Sequence, residues 1–224
     1  MVNSAPSGVG VPAEPGLRER KKQRTRETIA RAALELFDRD GFHETTIPAI
    51  AAAADVSPRT VSAYFPAKED LVFPDQQDSF ARLAERLGAR ADGETTADAL
   101  RAWIGTELPR WKERDDELQV QRRVVASDDG LKAVEQGFRA HGEELIATAI
   151  AEDLGASPDA LEPRMAAAAT FAIFGIVGDE HDGKEQLAGA YCEGEPVVLQ
   201  LLDRALRFVD AGIRSLRDDA PAPV

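Results

Sequence analysis

Apolar residues recur along this chain at intervals of three and four, which is the period of a helix, and no stretch alternates as a strand would. Ile29, Ala33, Leu36 and Phe37 form one such stripe. They predict a helix that begins near Leu17 and stops at Gly41, a residue suited to the turn after a helix, with Phe42 packed behind it. Thr46 can cap a second, short helix over about 47–54, whose inner face carries Ile47, Ile50 and Ala54. Asp55, Val56 and Ser57 interrupt the pattern; Asp tolerates a left-handed backbone, and Ser57 can cap a third helix with Pro58 in its first turn. Val61, Tyr64 and Phe65 form that helix's inner face and Pro66 stops it, which turns Ser57, Arg59, Thr60 and Ser62 outward. The sequence thus reads helix, tight turn, helix behind a longer first helix.

Beyond Pro66 the pattern stays helical. Leu71, Phe80, Leu83, Ala84 and Leu87 predict a long helix over about 67–90, bent near Pro74 and closed by Gly93. Thr95 or Thr96 can cap a helix bearing Leu100, Trp103, Ile104 and Leu108, interrupted at Pro109 and resumed at Trp111. Further helices are expected over about 115–127 and from Leu131 to Asp153, with a turn at 128–130 between them. Ser157 and Pro158 start a new element. Met165–Val177 is apolar nearly all round and calls for burial on more than one side. Residues 179–195 read as a loop with room for one helical turn, and Pro196 opens a last helix to about Arg217. An all-α architecture follows, with a disordered tail over 1–16, a three-helix domain over 17–66, a larger helical domain over 67–217 and a loose tail over 218–224.

The stretch 45–71, TTIPAIAAAADVSPRTVSAYFPAKEDL, resembles the DNA-binding core of the TetR family of transcriptional regulators. The resemblance rests on Thr46 opening the first helix of the pair, Ala51 before the turn and Val56 after it. Thr60, Phe65, Lys68 and Leu71 then follow at the spacing T-x4-F-x2-K-x2-L. Asp55 stands where glycine is commoner, Ser62 where tyrosine is common, and Pro48 where some members place a polar DNA contact, which bears on the operator sequence rather than on the fold. The resemblance implies a homodimer on a double-stranded DNA operator and a small-molecule effector held among the helices of the larger domain. It also implies a dimer interface made by Met165–Val177 and the last helix with their copies.

Charge sharpens this reading. The net charge is −13, which by itself argues against a nucleic-acid partner. Residues 17–70, however, carry ten basic and nine acidic side chains, whereas 71–224 alone carry a net −13. Arg18, Arg20, Lys21, Lys22, Arg24 and Arg26 crowd the start of the first helix, where phosphate contact is the expectation. The single cysteine, Cys192, excludes an internal disulfide framework. No run is long enough for a membrane span, no signal peptide precedes the helices, and a cytoplasmic protein is expected.

Arg59 is the candidate base reader, because its fork matches guanine O6 and N7. Ser57, Thr60 and Ser62 can reach phosphates, with capping the competing role of Ser57. Thr46 and Pro58 sit at the two helix starts. The resemblance implies phosphate contacts from Tyr64 and Lys68, against core packing for Tyr64 and a plain surface role for Lys68. Trp103, Trp111, Phe138, Phe171 and Phe174 spread over the larger domain, as core residues or as the walls of the implied effector cavity, with His141 as a packed or pocket-lining donor. Asp179, Glu180, His181 and Asp182 are the one carboxylate and histidine cluster and read as a solvated acidic loop rather than a metal site. No nucleophile elbow, phosphate-binding glycine loop or zinc spacing occurs, so neither catalysis nor a cofactor is expected. The leading function is a ligand-responsive regulator, most simply a repressor released by an apolar or amphipathic effector. The alternative is a helical small-molecule-binding protein with a degenerate DNA-binding module.

Overall fold

The computed structural model describes the backbone of residues 16–182 and 197–218, and side-chain surroundings over 16–173 and 203–215. The tails expected at 1–16 and 218–224 fall almost wholly outside these residues, as do Cys192 and the side chains of Phe174 and of 179–182. Among the described residues there are helices and turns and no strand, so the architecture is all-α. No described helix is long and apolar enough to cross a membrane.

Two compact units divide the chain at Pro74 and Asp75. The first contains α1 (Leu17–Asp40), α2 (Ile47–Ala53), α3 (Pro58–Tyr64) and a 3-10 turn at Glu69–Leu71. Its core is the stripe expected from the sequence: Ile29, Ala33, Leu36 and Phe37 from α1, Ile50 and Ala54 beside them, and Val61 and Phe65 from the third segment. Gly41 ends α1 at φ 93°, a backbone that side chains rarely adopt, and its N–H donates to the Phe37 carbonyl. The buried Thr45 hydroxyl lies 2.9 Å from the Gly41 carbonyl and 3.2 Å from that of Leu36, which fixes the entry to α2. The unit runs eight residues past the boundary expected at 66, because Leu71, Val72 and Phe73 are buried and belong to this core.

The second unit contains α4 (Gln76–Gly88), α5 (Thr96–Glu113), α6 (Asp115–Ala126), α7 (Asp129–Leu154), α8 (Leu161–Asp182) and α9 (Val197–Asp218). The long helix expected over 67–90 is not continuous. Pro74 cannot donate a backbone hydrogen bond and disfavours the helical conformation in the residue before it, so helix resumes only at Gln76 and ends at Gly88. Thr95 caps α5 in a reciprocal box with Asp98, whose carboxyl is held below its usual range first by the Thr95 hydroxyl. Contrary to the expected interruption, α5 passes through Pro109 unbroken, packed along its length against α4, α7 and α9. Asp128, expected in a turn, caps α7 by accepting from the Leu131 N–H at 2.9 Å. Residues 179–182, at the start of the segment expected as a loop with one helical turn, form the last turn of α8.

The core of this unit is built from Leu83 and Leu87 of α4, Leu100 and Ile104 of α5, Ile146 and Ile150 of α7, Ala167 of α8, and Leu206, Val209 and Ile213 of α9. A charged residue is buried in the same unit. Glu107 is 1% exposed, and its carboxylate accepts from Arg82 Nε at 2.8 Å and Nη2 at 2.7 Å, and from Arg110 Nη1 at 2.6 Å. Burial pushes this carboxyl up, but the Arg82 fork and then Arg110 outweigh burial and hold it below its ordinary value. Just past the C-terminal end of α5, Arg114 pairs with Asp75 at the start of α4 and with Glu117 at 2.8 Å.

A carboxyl whose folded value is lowered stabilises the fold above its unfolded value of about 4.3 and loses that contribution as the pH falls through the folded value. Glu107→Gln keeps the volume but leaves two arginines facing a neutral amide. Because Arg82 and Arg110 keep contact with water, the expected loss at neutral pH is about 2–4 kcal/mol rather than the full cost of breaking a buried pair. The difference between wild type and variant should narrow below about pH 4. Urea denaturation at pH 7 and pH 3.5 measures both, and equal stability at pH 7 would show that the triad contributes nothing.

Candidate nucleic-acid interface

The turn before α3 depends on Asp55, whose φ of 53° makes it the one described non-glycine residue with a left-handed backbone. The Val56 N–H then closes back on the Ala51 carbonyl at 2.9 Å, and the chain re-enters helix within three residues. Ser57 Oγ accepts from the Thr60 N–H at 3.1 Å and lies 2.8 Å from Thr60 Oγ1. The capping role expected for Ser57 therefore holds, and the Thr60 hydroxyl is drawn to the same cap. Thr46 caps α2 by accepting from the Ala49 N–H at 3.3 Å. Ser57, Pro58, Arg59 and Ser62 are exposed, Thr60 is half-buried, and Arg59 forms no hydrogen bond or ion pair with the described residues.

Two side chains expected at phosphates, Lys68 and Arg26, carry ties within the unit. The Lys68 ammonium donates to the Phe42 carbonyl, lies 3.5 Å from that of His43, and sits over the rings of Phe42 and Phe37 at 4.6 and 5.8 Å. The structure gives Lys68 an internal tie where a phosphate contact was expected, because the turn after α1 leaves those carbonyls without helical partners. Arg26 is likewise withdrawn from the basic start of α1. Its Nη1 donates to the Tyr64 carbonyl at 2.9 Å and its Nη2 to the Pro74 carbonyl at 2.6 Å, with the guanidinium 4.5 Å above the Phe65 ring. Tyr64 is half-buried beside Phe65, between its two expected roles. Arg18, Arg20, Lys21, Lys22 and Arg24 remain exposed.

In the second unit the candidate effector residues fall into two groups. Phe80 of α4 meets His141 of α7 edge-on at 5.1 Å and Phe138 at 6.3 Å. Gly142, one residue on, is where Phe171 of α8 presses against α7: a Cβ there would clash with Phe171 Cζ and lie 3.0 Å from Phe80. Trp103 and Trp111 form a separate edge-to-face pair on α5, with centroids 5.6 Å apart. The Trp103 indole N–H is buried without a partner among the described residues.

A family model described as "Bacterial regulatory proteins, tetR family" matches residues 29–73. The transcriptional regulator TcmR of Streptomyces glaucescens is 32% identical over 184 residues, which span 78% of this chain and 80% of that protein. The chain belongs to the TetR family of transcriptional regulators. UidR of Escherichia coli K12, also a transcriptional regulator, is 36% identical over 69 residues, 29% of this chain and 35% of its own. Among solved structures, a complex of SmeT with triclosan is similar with a TM-score of 0.58 at 22% identity, covering 84% of this chain and 91% of its own. FadR of Thermus thermophilus, a TetR-family repressor in complex with lauroyl-CoA, is similar with a TM-score of 0.52 at 26% identity, covering 89% and 99%.

In this TetR-family chain the pattern reading missed the inward arginine and the buried carboxylate, although both left a trace. Arg26 lies three residues before Ile29 and eleven before Phe37, in register with the apolar stripe of α1. Glu107 falls on the face of α5 that carries Trp103, Ile104 and Trp111. A charge in step with an apolar stripe signals an internal partner.

Proposed function

We propose that this regulator is a repressor that binds a palindromic operator as a homodimer and releases it when a small, largely apolar or amphipathic effector enters the second unit. It acts in the cytoplasm and catalyses no reaction. The observation that carries the reading is the start of α3. There an exposed Arg59 without an internal partner stands beside a capped helix terminus, on a scaffold whose other nearby cations, Arg26 and Lys68, are tied inward. An arginine fork in that position suits guanine O6 and N7 in a major groove, and such a bidentate contact is worth about 1–3 kcal/mol of discrimination. Arg59→Ala should therefore lower affinity for an operator selected from random duplexes by roughly 10- to 100-fold while leaving affinity for shuffled DNA nearly unchanged. Equal preference in footprinting at fixed salt would remove Arg59 from base readout.

Dimerisation is supported by an apolar face that one chain leaves open. Leu161, Met165, Ala169 and Ala172 line the outer side of α8, with Leu161 65% and Met165 53% exposed. On α9, Phe208 is 71% exposed, opposite the buried Leu206, Val209 and Ile213. Large apolar side chains at helical spacing on adjacent helices suit a two-fold interface. Phe208→Asp should yield monomers in sedimentation at micromolar concentration that bind a two-half-site operator weakly, and a dimer as stable as wild type would place the interface elsewhere.

The effector class follows from the same helices. Phe80, Phe138, Phe171 and His141 offer aromatic walls, and the Trp103 N–H offers one donor to an acceptor oxygen. The lauroyl-CoA in the Thermus FadR structure supports an amphipathic ligand for this chain as well. Coupling must be reciprocal. Hydrophobic candidates found by tryptophan quenching should bind more weakly in the presence of operator, by the factor with which each weakens operator binding. Hits that bind equally in both conditions would exclude gating through these helices.

A further inference from the structure

We infer that Arg26 is the positioning residue of the recognition helix: from α1 it fixes the end of α3 and the last residue of the first unit at once, and it does so without touching DNA. The inference rests on the reading of α3 as the recognition helix. Arg26 belongs by sequence to the basic cluster Arg18–Arg26, where phosphate contact is the natural expectation. Its surroundings assign it otherwise. The guanidinium lies over Phe65, itself 2% exposed, and each of its two terminal nitrogens is directed at a different backbone carbonyl.

Both carbonyls are ones the chain leaves in need of a donor. Tyr64 is the last residue of α3, and in a continuing helix its carbonyl would accept from the residue four further on, but Pro66 has ended the helix. Pro74 closes the first unit, where helix resumes only at Gln76. One rigid fork therefore joins three points: the inner face of α1, the C-terminal end of α3 and the end of the unit. Only arginine can do this, because its donors are held in a plane at fixed separation, whereas a lysine presents one ammonium centre. Since α3 has seven residues, a fixed C-terminal end leaves little freedom at Arg59, less than two turns away.

The test separates positioning from phosphate contact. The probes are a duplex enriched from a randomised library by the wild-type protein and a shuffled duplex of equal length, with affinities taken between 50 and 300 mM KCl on full-length protein. A phosphate contact contributes roughly 0.9 to the slope of log K against log salt and is sequence-independent. Arg26→Lys keeps the charge. Positioning predicts that it lowers the ratio of enriched to shuffled affinity at least about tenfold with an unchanged salt slope on shuffled DNA, and that Arg26→Met also leaves that slope unchanged. A ratio kept within twofold in Arg26→Lys, or a slope reduced by about one phosphate in Arg26→Met, overturns the assignment.

Should Arg26→Met fail to fold, hydrogen exchange on wild type and Arg26→Lys decides. Protection of the amides at 61–65 and 71–73 should fall together in the lysine variant while the inner face of α1 keeps its protection. Unchanged exchange in both segments overturns the inference. Failure of the wild type to enrich any sequence would instead sink the recognition-helix reading, and the exchange experiment would still report on the tie.

Discussion

A guanidinium drawn out of water has to find acceptors for its donors, and it is too strongly basic to escape by losing its proton. At Arg26 of the DNA-binding unit that demand is met at the two terminal nitrogens, while Nε stays buried without a partner among the described residues. The same side chain answers a complementary demand, since a seven-residue helix stopped by proline and a chain leaving its domain both carry carbonyls without helical partners. Lys68 repeats the arrangement at the other end of α1, with its ammonium on the carbonyls that follow Gly41 and over two aromatic faces. The short α3, marginal alone, is thus held to α1 by a cation as well as through Ile29, Ile50, Val61 and Phe65.

The second unit places charge inside for a different end. Glu107 brings Arg82 of α4 and Arg110 of its own helix to one point amid apolar contacts. A buried ionic cluster adds less net stability than its distances suggest, but it tolerates few alternative arrangements of α4 against α5. Gly142 imposes a comparable constraint on α7 and α8, since Phe171 occupies the space that any side chain there would need. Helices fixed in register at such points can move as bodies more readily than they can slide, which suits a domain expected to answer a ligand.

The helix-turn-helix was legible in the sequence because its signals are local. Ser57 and Thr46 cap as their positions suggest, and Asp55 takes the left-handed backbone that its short polar side chain tolerates. The stripe Ile29, Ala33, Leu36, Phe37 is buried as its period requires. What was not legible depends on partners distant in sequence. Arg26 meets acceptors 38 and 48 residues away, so its register with the α1 stripe could mark it as inward but could not name its partners. Likewise Pro109 signals a break only if local hydrogen bonding decides, whereas packing on three neighbouring helices carried α5 through it. The division at Pro74 escaped the apolar pattern because Leu71, Val72 and Phe73 suit a helix stripe as well as a buried turn. Of the candidate effector residues, the sequence supplied the side chains but not the grouping of Phe138, His141 and Phe171 around Phe80 and Gly142.

Each unit secures its own side of the boundary at Pro74 and Asp75. On one side of the Pro74–Asp75 peptide the Pro74 carbonyl is held by Arg26, and on the other the Asp75 carboxylate is held by Arg114. Proline fixes its own φ, and Asp75 already leads into α4. Each unit thus closes on a charge-assisted bond of its own, and fraying from the boundary would have to break that bond before it reached either core.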